Sequence, residues 1–428
     1  MRYVIIGASA AGMAGAQAVL ELDPAAEVVI LSEEVDAPYC RPLLSYWLAG
    51  ETAEDLFALA APALTRVDLR LGARAQAIEP GAKRLRLASG EALTYDRLLL
   101  ATGAASATLE VPGEELPNVR GFRTRSDAAT LDEALRAGAH QALVLGGGLV
   151  GIKAAHALAA RGASVTLCVA SSHPLSQAVD REAGALVADA LREEGIEVRP
   201  GLAPSGIEEA CGRAAAVTFA GAWRAPCDLV VVGKGVTPRT ELLADLGFAV
   251  SGGVPVDAGL RTPLPDVWAA GDVALATDTA WGRPRVNAVW PMAVEQGALA
   301  GRNMAGAGET YAGSLGMNSI RVGRLELISA GITRAPDPTY EERAALDRRA
   351  RLYRKVVLKD GRIVGTIFAG AADQAGLVVS AIRRGARFDE LPFDPLEPRI
   401  HWGRYAFTAG TLGRRSLSAS QPPSILAS

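Results

Sequence analysis

The chain has 428 residues, 49% of them hydrophobic, and a formal net charge of -3. That length supports two or three domains with substantial cores, and the near-neutral charge leaves no electrostatic footprint for nucleic acid or an anionic membrane surface. The longest apolar runs, "LVVVG" and "ALVLGGGLVG", are too short to span a bilayer and read as buried strands. Met1 leads straight into "RYVIIG", so no signal peptide is expected. Four cysteines without CxxC or CxxxxC spacing point to a reducing cytoplasm.

The first segment, "RYVIIGASAAGMAGAQAVLEL", reads as a strand, a glycine turn and a helix. Gly7 permits the sharp turn, the small Ser9 lets backbone approach a pyrophosphate, and Gly12 lets the helix pack on the strand. Ala10 and Ala11 then open a helix whose free N–H groups and positive dipole end suit phosphates. The next strand, "EVVILSEE", ends in Glu33 and Glu34, about 20 residues on, where an acid meets a ribose hydroxyl; Glu33 is the first choice. After "PYCRPLLSYWLAG" the strand "YDRLLLATGA" ends in Ala101, Thr102 and Gly103, where the chain leaves this first fold.

The pattern returns in "HQALVLGGGLVGIKAAHALAARGASVTLCV", with Gly146, Gly148 and Gly151 framing Leu149 and Val150. Two nucleotide folds in one chain imply a flavin on one and a nicotinamide on the other. A carboxylate after "VTLC" would signal NAD, but Val169 stands there, followed by Ser171, Ser172 and His173 without an arginine for a 2′-phosphate. NAD(H) is favoured because no basic cluster is visible, and NADP(H) stays open. Further on, "LPDVWAAGDVALATD" delivers Gly271 and Asp272, an aspartate placed to accept hydrogen bonds from ribityl hydroxyls. The helix of "NAVWPMAVEQGALAGRNMAG" begins near Trp290 and Pro291, with its N-terminus toward an isoalloxazine ring. These segments flank the second fold, so the first is read as split and FAD-holding, with the nicotinamide domain inserted.

From about Tyr311 the pattern changes. "GMNSIRVGRLELISAG" and "RLYRKVVLKDGRIVGTIFAG" read as alternating strands, the second pair joined at Lys359-Asp360-Gly361. The charged stretch "DPTYEERAALDRRARL" between them reads as solvated, and "AADQAGLVVSAIRRG" as an amphipathic helix closed by Gly385. The four histidines, His140, His156, His173 and His401, lack metal-ligand spacing and read as structural or surface groups; no metal site is expected.

On "GASAAG", "YCRPLLS", "ATG", "GGGLVG", "AAGD" and "WPMAVEQG", the chain resembles the pyridine nucleotide–disulfide oxidoreductase superfamily. It is similar to the branch of ferredoxin and rubredoxin reductases, nitrite-reductase flavoproteins and FAD subunits of multi-subunit oxidoreductases. The resemblance implies an α/β fold with two Rossmann-like dinucleotide-binding domains, the NAD domain inserted in the FAD domain, and an α+β C-terminal domain. The expected limits are 1–115 and 243–311 for FAD, 116–242 for NAD(P), 312–400 for an interface domain and 401–428 for a tail. In the tail, Trp402, Tyr405 and Phe407 suggest a segment that orders on a partner.

The resemblance also places Arg41 as an FAD phosphate ligand, Pro42 near the ring, and the "VVVGKGVTPRTELL" return with Lys234, Gly235 and Arg239 near phosphates. The single-cysteine branch would have its thiol at Leu43, so Cys40 reads as a small residue of the flavin pocket. A redox role stays open because Arg41 next door could lower the thiol's pKa. Relatives carry a lysine after "LS" and a glutamate two residues beyond the last fingerprint glycine; here Tyr46 and Lys153 stand there. Lys153 is either a cation moved to flavin N5, favouring the anionic reduced ring, or a solvated helix lysine.

The implied activity is FAD-dependent NAD(P)H:acceptor oxidoreduction, by hydride transfer to flavin N5 and one-electron exchange with a rubredoxin, a ferredoxin or an iron–sulfur subunit of the same complex. An NADH oxidase or thiol reductase using Cys40 is the alternative, and a non-catalytic flavin and NADH-binding protein a second.

Overall fold

The computed structural model describes residues 1–52, 65–221, 223–248 and 250–398. The expected docking aromatics Trp402, Tyr405 and Phe407, and His401, lie outside the described residues.

The apolar run Arg2–Ile6 is the central strand of a parallel sheet, buried on both faces as such strands require. Glu27–Leu31 and Arg97–Leu100 flank it, with Asp68–Arg70 and Val267–Ala269 at the edges. A second parallel sheet is centred on Gln141–Leu145, flanked by Ser164–Val169 and Leu229–Val232, with Glu197–Pro200 and Val119–Gly121 outermost. Aligned on the strand before each glycine turn, the two sheets share the order of four strands and differ in the fifth: Val267–Ala269 comes last in the chain of the first sheet, Val119–Gly121 first in that of the second. Val267–Ala269 joins the first sheet after the chain has completed the second.

Helices α1 (Ala10–Leu22), α2 (Leu44–Ala49), α3 (Arg125–Arg136), α4 (Leu149–Ala160), α5 (Arg181–Glu193) and α6 (Trp290–Met304) connect or cover these sheets. Small residues let α1 and α6 touch backbone to backbone. A Cβ on Gly297 would lie 2.1 Å from the Ala11 carbonyl oxygen, and one on Gly301 2.3 Å from that of Gly15. The two helices therefore run in the same direction, with the start of α6 lying beyond that of α1.

The last sheet is antiparallel, in the order Met317–Val322, Leu325–Gly331, Arg362–Ala369, Leu352–Lys359, Tyr340–Asp347. Its strands bury alternate residues on opposite faces. Ile320, Leu327 and Ile367 share a cluster with Val187 and Leu191 of α5, while Phe368 and Val356 pack with Val378 of the terminal helix α7 (Ala375–Arg383). Asp360 and Gly361, at φ 51° and 75°, make the expected tight hairpin. The charged stretch expected to be solvated is a mostly exposed edge strand, Tyr340–Asp347; its charges suit an edge that must not pair further. Among the described residues no helix is long and apolar enough to cross a membrane.

Candidate functional site

A cavity of about 1210 Å³ runs from the first glycine turn to the start of α4 and the edge of the C-terminal sheet, larger than the ~300–1,000 Å³ of an ordinary small-ligand pocket. The first turn lines it through Gly7, Ser9, Ala10 and Ala11, and the end of the second strand through Glu33 and Glu34. Arg41 and Pro42 follow, then Ala101, Thr102 and Gly103, then Gly271, Asp272 and Trp290. From the second fold come Leu149, Val150 and Lys153 of α4, and from the last sheet Ser319. Gly12, Gly146, Gly148, Gly151, Ser171, Gly235 and Pro291 are not among the lining residues.

The absence of Gly12 and Gly151 from the lining has a geometric cause. A Cβ on Gly12 would sit 1.8 Å from the Gly7 carbonyl oxygen, and one on Gly151 1.9 Å from that of Gly146. Each glycine packs against its own turn, identically in the two folds, and so sets the helix rather than facing the cavity. Gly7 itself, at φ +117°, could not carry a side chain without meeting the Ala101 carbonyl.

Side-chain capping differs among the helices around the cavity, which Thr124, Ser126 and Asp127 at the start of α3 also line. The N-cap of α3 is Thr124 in a reciprocal capping box with Asp127, and that of α5 is Asp180, which accepts from the Ala183 N–H. By contrast α1, α4 and α6, capped by Ser9, Gly148 and Val289, have no side-chain cap. Their first N–H groups are left for an anion to satisfy, which fits a pyrophosphate at α1 and α4 and a negatively charged ring at α6.

The charged residues of the cavity form a connected network. Arg123 donates to Asp272 at 2.8 Å and to the Ala104 carbonyl at 2.7 Å, while its own carbonyl accepts from Arg41 at 3.0 Å. Arg41 also pairs with Glu34, and the Tyr39 hydroxyl donates to Glu34 at 2.5 Å. Burial, reinforced by Glu34 against the pull of Arg41, pushes the Tyr39 phenol well above its ordinary pKa and keeps it a donor. Glu33 pairs with Arg239, with Arg74 at 3.6 Å. Arg123 and Tyr39 were missed in the sequence, although the "TRSD" capping box marks a helix start immediately after Arg123.

Cys40 is half-buried and does not line the cavity. The neighbouring Arg41 suggested a depressed thiol pKa; the structure corrects this. The Arg41 guanidinium is engaged by Glu34, Tyr39 and the Arg123 carbonyl, and burial pushes the Cys40 thiol up against a smaller opposing effect from the Leu43 N–H. Lys153 donates to the Tyr46 hydroxyl at 3.1 Å, its ammonium 4.7 Å from the ring centroid.

In the second fold, Val169 is 2% exposed and packs beneath Gly147. The Ser171 hydroxyl donates to the His173 carbonyl at 3.0 Å, and Lys234 is exposed. His173 is buried, His156 lies between Glu51 and Glu194, and His140 is exposed. Among the described residues no group of His, Cys, Asp or Glu could hold a metal ion.

Two parallel sheets that share four strands of their order, each with a glycine turn and a helix left without a side-chain cap, define a protein with two dinucleotide-binding folds, the class that includes the flavoprotein oxidoreductases. The chain belongs to the pyridine nucleotide-disulphide oxidoreductase family, whose pattern matches residues 1–297; the rubredoxin NAD+ reductase C-terminal domain matches residues 317–386. Its cofactors are FAD and NAD(H). The NADH-dependent phenylglyoxylate dehydrogenase subunit epsilon of Aromatoleum evansii is 29% identical over 388 residues, 90% of this chain and 91% of that one. The anthranilate 1,2-dioxygenase system ferredoxin–NAD(+) reductase component of Burkholderia cepacia is 36% identical over 72% of this chain and 77% of its own. A solved ferredoxin reductase from Rhodopseudomonas palustris superposes with a TM-score of 0.80 at 25% identity, over 89% of this chain and 95% of that one.

Proposed function

We propose that the chain passes a hydride between NAD(H) and FAD, and single electrons between FAD and an iron–sulfur or rubredoxin-type protein. One observation carries this reading. The cavity joins the flavin turn to the nicotinamide helix, yet among the described residues no cysteine lines it. FAD supplies the conversion between two-electron and one-electron chemistry, so no thiol relay is needed. This chain's residues bind and orient. The first turn and the N-terminus of α1 hold the pyrophosphate, Glu33 meets the adenosine ribose, Asp272 the ribityl chain, and Trp290 at the start of α6 the ring. Gly146, Gly148 and Gly151 shape the nicotinamide turn, with Ser171 and Gly235 at its margins.

The reading assigns FAD to 1–115 and 243–311, NAD(H) to 116–242, and contact with neighbouring flavin and protein surfaces to 312–400. Four free cysteines support a reducing cytoplasmic location. A relative matched over nine-tenths of both chains is a dehydrogenase subunit, which supports a place in a larger complex, where electrons could flow toward NAD+.

The test is anaerobic stopped-flow mixing of the yellow holoprotein with NADH and with NADPH, followed by a ferredoxin, a rubredoxin or dioxygen. Rapid bleaching by NADH, fast reoxidation by the iron–sulfur protein and slow reoxidation by dioxygen are expected. Fast dioxygen turnover that depends on Cys40 would replace this reading with an oxidase.

A further inference from the structure

Deepening that reading of the same site, we infer that Tyr46 is a positioning residue. It holds the Lys153 ammonium at the junction of the flavin cavity and the nicotinamide helix, so that residue 153 supplies the cation favouring the reduced, negatively charged flavin.

The geometry starts with α4. Leu149, Val150 and Lys153 all line the cavity and fall on one face of its first turn and a half. The same helix is laid along α2 by polar contacts at helical spacing. Lys153 reaches Tyr46, His156 reaches Glu51 at 3.4 Å, and Arg161 donates to the Leu48 carbonyl at 2.9 Å. The place where Tyr46 meets Lys153 is therefore fixed by both ends of the helix pair.

A lysine stem is flexible and normally carries its head into water. Here the half-buried Tyr46 holds the head twice, by its hydroxyl at 3.1 Å and by its ring face at 4.7 Å. Among the described residues no carboxylate forms an ion pair with Lys153, so its charge is not neutralised locally. The tyrosine takes one of three N–H donors and leaves the charge available to the cavity. Tyr46 itself does not line the cavity, while its neighbour Ser45 does, so it acts from behind the lysine.

The chemistry needs such a charge. Hydride transfer breaks the C4–H bond of NADH and forms N5–H on the flavin; two electrons arrive with one proton's worth of hydrogen, and the oxidised nicotinamide departs. The flavin is left with one more negative charge, which a fixed cation favours over the neutral oxidised ring.

Sulfite tests this without turnover, because it adds to flavin N5 to give an anionic, bleached adduct. In the holoprotein, Lys153→Met should weaken sulfite binding by about tenfold or more and lower the flavin midpoint potential, and Lys153→Arg should restore most of both. Tyr46→Leu should weaken sulfite nearly as much as Lys153→Met, and Tyr46→Phe, which keeps the ring face, less. Adding Tyr46→Leu to Lys153→Met should change nothing further, the signature of action through the lysine. Unchanged sulfite binding and potential in Lys153→Met overturn the proposal. Weakening in Lys153→Met with neither Tyr46 variant affected overturns the positioning role. A wild-type chain that takes up no FAD would instead sink the flavoprotein reading, an outcome visible before any sulfite is added.

Discussion

Cys40 shows how far a residue's sequence neighbours mislead about its chemistry. Arg41 is adjacent in the chain, but its guanidinium is committed to Glu34, Tyr39 and a backbone carbonyl, and the thiol is left with burial as its dominant influence. A raised pKa means the neutral thiol dominates at pH 7, and a neutral thiol is a poor nucleophile. Cys40→Ser should therefore keep NADH-dependent acceptor reduction within about twofold of wild type. Iodoacetamide should alkylate Cys40 more slowly than a free thiol at pH 7.5, because less of it is thiolate. Loss of turnover in the serine variant would restore the thiol mechanism.

At the scale of elements, the sequence displayed what is encoded locally. Glycine turns, the strands before them and the uncapped helices after them are read from a dozen consecutive residues, because the backbone itself makes the nucleotide cradle. Arg123, which ties Asp272 to the segment around Arg41, was not legible; its partners arrive from 149 and 82 residues away. The Tyr340–Asp347 edge strand was equally hidden, since an exposed edge needs no apolar alternation to announce it. The uncapped α1 has a measurable consequence, since FAD bound to the folded chain alone stabilises it by mass action. At about 100 times its dissociation constant that amounts to ~2.7 kcal/mol, so for a chain of 428 residues stripping the flavin should lower the thermal midpoint by roughly 3 °C. Added FAD should restore the midpoint. FMN, which lacks the pyrophosphate that α1 would cap, should restore little of it; equal rescue by FMN would mean the first turn is not a pyrophosphate cradle.

For the whole molecule, the question is what fixes the second parallel-sheet fold against the C-terminal sheet. Asp180, at the start of α5, is the centre of that joint. It accepts from the Tyr353 hydroxyl at 2.6 Å and from Lys355 at 2.9 Å, and Lys355 also pairs with Glu342 at 2.9 Å. The Lys355 side chain is only 4% exposed, so its charge depends on these partners. Exposed pairs around the joint, Arg348 with Glu182 and Arg351 with Glu193, are screened by water and add little. Burial alone would raise the Asp180 pKa, but the hydrogen bonds from Tyr353 and Lys355 outweigh it and hold the carboxyl below its ordinary value. A carboxyl depressed on folding contributes stability that is fully present above its unfolded pKa of about 4 and is lost as pH falls through the lower folded value. Asp180→Asn keeps an acceptor for the helix cap and the tyrosine but removes the charge facing Lys355. It should cost roughly 2–3 kcal/mol at pH 7, somewhat less than breaking a fully buried pair. Urea unfolding from pH 8 down to pH 3 checks the sign. The gap between wild type and Asp180→Asn should hold steady to about pH 5 and close below about pH 4, as the wild-type carboxyl takes up its proton. A gap that widened on acidification would show that Asp180 is not held ionised by the joint, and Lys355 would then have to draw its compensation from Glu342 alone.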